Sequence, residues 1–204
     1  SGDLAEALNH ALDTIGRGPF SVEAVRRMIG RGAKVMLRRA LETTGEATPE
    51  LVERLFPVLL NHYAANIAVH SRPYPGVVDA LEALSARGYR LAVCTNKIER
   101  LARQVLDATG IARHFCVIVG GDTVATMKPD PAPLLAMIEQ AGGGRTVFVG
   151  DTDNDILAAR AAGVPCIAVS FCHSPAELTE IGADAVMAGF DELVPLIEQW
   201  PHQR

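Results

Sequence analysis

The chain has 204 residues, 49% of them hydrophobic and 21% charged, with a formal net charge of −5. That length holds one medium domain or two small ones, and the composition is that of an ordinary globular protein. The acidic balance argues against a nucleic-acid coat or a binder of anionic membranes, and neither a signal segment nor an apolar run near the ~20 residues of a membrane span is present. In chain order, residues 1–70 carry no strand pattern. Leu4, Leu8, Leu12 and Ile15 recur at helical spacing and stop before Gly16, Gly18 and Pro19. Ser21 caps a second, short helix ending near Gly30, and a third runs over about 33–43 with Val35, Leu37 and Leu41 apolar. Thr48, with Pro49 at the first helical position, opens a longer helix that continues to about 68.

After the turn-rich joint Arg72-Pro73-Tyr74-Pro75-Gly76 the pattern changes to alternating helix and strand. Helices are expected over 77–86, 99–108, 133–140, from the Asp153 region to 162, over 175–181 and over 192–199. Strands are expected over 91–94, 116–119, 147–149, 166–169 and 185–187. Repeated βα units of this length imply a mostly parallel sheet with helices on both faces. The expected architecture is therefore α/β, with a parallel Rossmann-like sheet over 71–204 and a small all-helical unit over 1–70. Cys94, Cys116 and Cys166 fall in apolar strand-like runs and Cys172 has no C-x-x-C partner, so the cysteines suit a reducing cytoplasm and no disulfide framework.

Chemistry concentrates at the strand ends, where open α/β sheets bind their ligands. Behind the strand at 147–149 come Gly150 and the carboxylates Asp151, Asp153 and Asp155. Clustered oxygen ligands suit a hard cation such as magnesium, while Asp153 or Asn154 as an N-cap with acids in the first turn is the plain alternative. Thr95 and Asn96 follow the strand at 91–94 and serve either as a phosphate cradle or as a helix cap. Lys128 sits in the proline-stiffened Met127-Lys128-Pro129-Asp130-Pro131, placed to neutralise a phosphoryl group or simply to be solvated. A cradle, a cation site and a lysine after successive strands make a coherent phosphoryl-transfer set.

Thr95-Asn96, then Lys128-Pro129, then Gly150-Asp151-x-x-x-Asp155 resemble the later motifs of the haloacid dehalogenase superfamily, and the helical first third looks like its cap. Within it, Gly30-Arg31-Gly32-Ala33, Arg39-Ala40-Leu41, Arg72-Pro73-Tyr74-Pro75-Gly76, Thr95-Asn96-Lys97 and Gly120-Gly121-Asp122 resemble phosphoglycolate phosphatases. The resemblance implies a Mg²⁺-dependent phosphomonoester hydrolase acting on a small phosphorylated metabolite, 2-phosphoglycolate, through an aspartyl-phosphate intermediate. It implies Lys128, Thr95 and Asn96 as catalytic groups, Asp151 and Asp155 as metal ligands, and Arg31 and Gly32 as substrate-binding residues of the cap, with Arg31 as a solvated surface charge the alternative. Nucleic acid and membrane are not expected partners, and a homodimer stays open.

Two departures stand against it. The nucleophile and acid–base aspartates belong to a D-x-D-G-T motif that this sequence does not contain, so a further N-terminal segment is expected, and the chain as given is expected to be inactive without it. Ser170-Phe171-Cys172-His173 replaces a glycine-tyrosine pair found in the resembling enzymes, which puts the substrate in question; His173 reads as an exposed loop histidine. A sugar-phosphate mutase, another phosphatase, or a non-catalytic metal- and phosphate-binding module are the competing readings.

Overall fold

The computed structural model describes residues 1–171 and 174–199; Cys172 and His173 lie outside the described residues. The chain divides into two compact units, one of Ser1–Arg72 with Arg100–Gly110, the other of Pro73–Glu99 with the chain from Ile111 on. The expected division at residue 70 carries no provision for the 100–110 segment, which groups with the helices.

The first unit is built on α1 (Gly2–Asp13), α2 (Val22–Arg26), α3 (Ala33–Thr44) and α4 (Pro49–Ala65). Leu8 and Leu12 of α1, Leu37 and Leu41 of α3, and Leu55 and Leu59 of α4 are fully or nearly fully buried, the stripe that helical spacing demands. α1 and α3 both pack on α4. The caps are those read from the residue types: Ser21 Oγ accepts from Ala24 N–H and Thr48 Oγ1 from Leu51 N–H, with Pro49 opening α4.

A buried carboxylate closes this unit. Asp3, 2% exposed, sits in the first turn of α1. Its Oδ1 accepts from His70 N–H (2.7 Å), and its Oδ2 accepts from Ser71 N–H (3.0 Å) and the Ser71 hydroxyl. The first turn of the unit is thus tied to its last residues. Burial pushes the Asp3 carboxyl up, but the Ser71 hydroxyl and the two amides outweigh it and hold the group below its usual range. Tyr63 nearby is pushed up to about 12 by its own burial and by the Asp3 charge.

The second unit contains α5 (Val77–Ala86), β1 (Leu91–Cys94), β2 (Phe115–Val119), α7 (Ala132–Gln140), β3 (Phe148–Gly150), α8 (Asp153–Ala161), β4 (Cys166–Val169), α9 (Pro175–Ile181), β5 (Ala185–Met187) and α10 (Leu193–Gln199), while α6 (Glu99–Ala108) falls between the two contact groups. All pairings are parallel, β1 with β2 and β4 between β3 and β5. β4 shows why the unit is layered on both faces. Cys166 and Ala168 join one apolar cluster with Leu134, Phe148, Ile156 and Leu178, whereas Ile167 and Val169 join another with Ala80, Leu84 and Leu193. Every residue of β4 is buried, the signature of a strand covered on both sides. Among the described residues the strands pair in two groups, β1 with β2 and β3 with β4 and β5.

The Asp3 clasp makes a prediction. Asp3→Asn keeps the shape but points amide hydrogens at donors, and is expected to lower stability by about 1–3 kcal/mol at neutral pH. Because the native carboxyl is depressed, its contribution is present above the unfolded value of about 3.9 and lost as pH falls through the native one. Urea unfolding should show the gap between variant and wild type narrowing in acid; a gap independent of pH would contradict the assignment.

Candidate active site

The carboxyl ends of β1 and β3 carry the polar groups, and hydrogen bonds bring them to one place. Thr95 N–H donates to Val119 O (2.9 Å), so the chain follows β2 for one residue past β1. Thr95 Oγ1 then accepts from Lys97 N–H (3.2 Å), which turns the chain locally. Asn96 does not cap α6. Its Oδ1 accepts from Lys128 N–H (2.9 Å) and its Nδ2 donates to Lys128 O (2.8 Å), a two-point clamp on the backbone of a residue distant in sequence. The start of α6 is served instead by Asp122, whose Oδ1 accepts from Glu99 N–H.

Lys128 is 8% exposed, an unusual place for a lysine. Its ammonium donates to Cys94 O at the end of β1 (2.7 Å) and to Asp155 Oδ1 (2.6 Å), and it lies 5.1 Å from the centre of the Phe148 ring. Asp155, 6% exposed, has its other oxygen filled as well: Oδ2 accepts from the N–H groups of Asp151 (3.2 Å) and Thr152 (3.0 Å) and from the Thr152 hydroxyl (2.7 Å). Burial drives the Asp155 carboxyl up, but the Lys128 charge and hydrogen bond, with those from Thr152, hold it below the usual carboxylate range. Gly150 makes this return possible. A Cβ there would lie 2.3 Å from Asp155 Cβ and 2.6 Å from its Cγ, so only hydrogen fits beneath the folded-back side chain. That is the physical content of the Gly-Asp-x-x-x-Asp spacing.

The expected site residues divide as follows. Thr95, Asn96, Lys128, Asp151 and Asp155 converge on the β1 and β3 ends. Arg31, exposed, and Gly32, at the start of α3, lie in the helical unit and outside this network. Of the two carboxylates expected as metal ligands, Asp155 holds Lys128 through Oδ1 and the Thr152 hydroxyl and two amides through Oδ2. Asp151 is a half-buried carboxylate in the loop between β3 and α8. Among the described residues no group of three or more His, Cys, Asp or Glu gathers to hold a metal unaided. The N-cap of α8 is Thr152, not Asp153 or Asn154, and Asp153 Oδ1 accepts from Asn154 N–H. The buried Cys94 and Cys166 thiols are both shifted upward: burial raises Cys94, and burial with the Asp155 and Asp184 charges pushes Cys166 up to about 12.

Two contributors have no counterpart in a list of polar residues. One is the Cys94 carbonyl, which any residue would supply. The other is the Thr152 hydroxyl, whose signal was available as a Thr-x-x-Asp capping pattern.

Residues 2–169 match the family model of the haloacid dehalogenase-like hydrolases. The phosphoglycolate phosphatase of Agrobacterium fabrum is 41% identical over 200 residues, covering 97% of this chain and 86% of its own. That of Rhodospirillum rubrum is 39% identical, covering 93% and 82%. A crystal structure of a predicted phosphoglycolate phosphatase from Haemophilus somnus superposes with a TM-score of 0.88 at 31% identity, over 96% of this chain and 91% of that one. A buried lysine–aspartate pair at the carboxyl ends of parallel strands, with these relatives around it, makes the chain an enzyme of the haloacid dehalogenase-like hydrolase family, most like its phosphoglycolate phosphatases.

Proposed function

We propose that the full-length protein is a magnesium-dependent phosphatase that hydrolyses 2-phosphoglycolate through an aspartyl-phosphate. The observation that carries it is the Lys128 ammonium, buried and held at its head by Cys94 O and Asp155 and at its backbone by Asn96. A cation fixed in advance, with little water around it, suits the charge of a transferring phosphoryl group better than a mobile surface lysine does. The names carried by the relatives support the choice of substrate.

Magnesium keeps several waters and takes one or two carboxylates together with substrate phosphate oxygens. Asp151 fits that demand as the ligand in this proposal, with Asp155 second to it, directly or through water, while its Oδ1 holds the Lys128 ammonium. When bound, the cation would offset phosphoryl charge and orient the phosphate. Lys128 then neutralises one phosphoryl oxygen. In this proposal the Thr95 hydroxyl, whose oxygen accepts from Lys97 N–H, and the Asn96 N–H would stabilise the other phosphoryl oxygens. The attacking carboxylate and the acid–base aspartate are, in this proposal, those of the D-x-D-G-T motif that the family resemblance implies. Residues 1–70 serve as the cap, and the Arg31 guanidinium beside Gly32 suits a substrate carboxylate. A reducing cytoplasm is the supposed compartment, in keeping with free thiols at Cys94, Cys116 and Cys166.

Phosphate release by the full-length protein tests the assignment. Turnover of 2-phosphoglycolate should require magnesium and vanish in Asp151→Ala; wild-type rates under chelation would refute the metal role. The rate on 2-phosphoglycolate should exceed that on hexose phosphates, and the reverse order would favour a sugar-phosphate enzyme. Asn96→Ala frees the backbone of Lys128 and should lower kcat about 100-fold, the cost of ångström-scale misplacement, with an unchanged circular dichroism spectrum. An undiminished kcat would remove Asn96 from the machinery.

A further inference from the structure

Gly120-Gly121-Asp122 takes no part in the chemistry above, yet with Thr123 it grips the turn that carries Thr95 and Asn96. Gly121 N–H donates to Lys97 O (2.8 Å), and Glu99 N–H donates to Asp122 Oδ1 (2.7 Å). Gly120 N–H donates to Thr123 Oγ1 (2.8 Å), and that hydroxyl donates to Glu99 Oε2 (2.5 Å). The backbone from Lys97 to Glu99 is therefore hung on the loop after β2 by groups on both sides.

The two glycines are set by proximity. Neither has a positive φ, so conformational freedom does not account for them. A Cβ on Gly120 would lie 2.4 Å from the Glu99 nitrogen and Cα, and one on Gly121 would lie 2.5 Å from the Asn96 carbonyl oxygen. These neighbours are backbone and have no rotamer by which to yield. Anything larger than hydrogen at Gly121 pushes directly on the Asn96 peptide, whose side chain is the clamp on Lys128.

We infer that Gly121 and Thr123 are positioning residues of the hydrolase: they touch no reacting atom, but fix the Asn96–Lys97 peptide and, through Asn96, the Lys128 backbone. This rests on the phosphatase function proposed above. A loop that merely stabilises the fold would lower the unfolding midpoint and leave the kinetics of the folded fraction alone. A positioning loop changes kcat in protein that is fully folded, because a displaced cradle fails the transition state more than the ground state.

The test uses the full-length enzyme on 2-phosphoglycolate, with kcat and KM corrected for the folded fraction. Gly121→Ala is expected to lower kcat about 100-fold while KM moves only slightly. Thr123→Val, which keeps the shape and loses the hydroxyl, should also lower kcat, and Thr123→Ser should restore it. The threonine pair decides the matter if Gly121→Ala does not fold. Equal kcat in the valine and serine variants, or a folded Gly121→Ala with wild-type kcat, overturns the inference and leaves the phosphatase function standing. A wild type without turnover on any phosphomonoester overturns that function, and this inference with it.

Discussion

The arrangement depends on one ion pair, Lys128 with Asp155, both less than a tenth exposed. Two charges taken out of water are stable only when their remaining hydrogen-bonding capacity is satisfied. Here most of it is: the ammonium gives two of its three protons to the Cys94 carbonyl and the carboxylate, and the carboxylate has the Thr152 hydroxyl and two amides. Each partner belongs to a different stretch of chain, so satisfying the pair fixes the end of β1, the Lys128-Pro129 loop and the start of α8 together. Removing one partner of such a pair costs about 3–5 kcal/mol, because the other is left buried and charged.

The pair also explains why small residues surround it. Gly150 is required because Asp155 folds back over it, and Gly121 because the Asn96 peptide lies against it. A charged centre held by backbone groups needs the backbone to come close, and glycine permits that approach.

Much of this was legible in the order of residues. Period and punctuation located the five strands found among the described residues and the caps at Ser21 and Thr48, since those signals are local. The residues that follow each strand were legible too, because a parallel sheet puts them at one edge. What escaped was the partner of each side chain. Asn96 was read as a cradle or a cap, and its side chain also clamps Lys128, thirty-two positions away; Asp155 was read as a metal ligand, and its carboxylate also holds Lys128 and Thr152. Spacing along a chain says which groups share an edge of the sheet, but not which donor reaches which oxygen first.

The most direct measurement of the central claim is a double-mutant cycle on kcat with Lys128→Met and Asp155→Asn in the full-length enzyme, corrected for folded fraction. If Asp155 acts through the ammonium, its replacement lowers kcat about 100-fold in the wild-type background and scarcely at all once Lys128 is methionine. Losses that simply multiply would mean that Asp155 meets the reaction independently of Lys128, and would contradict the account.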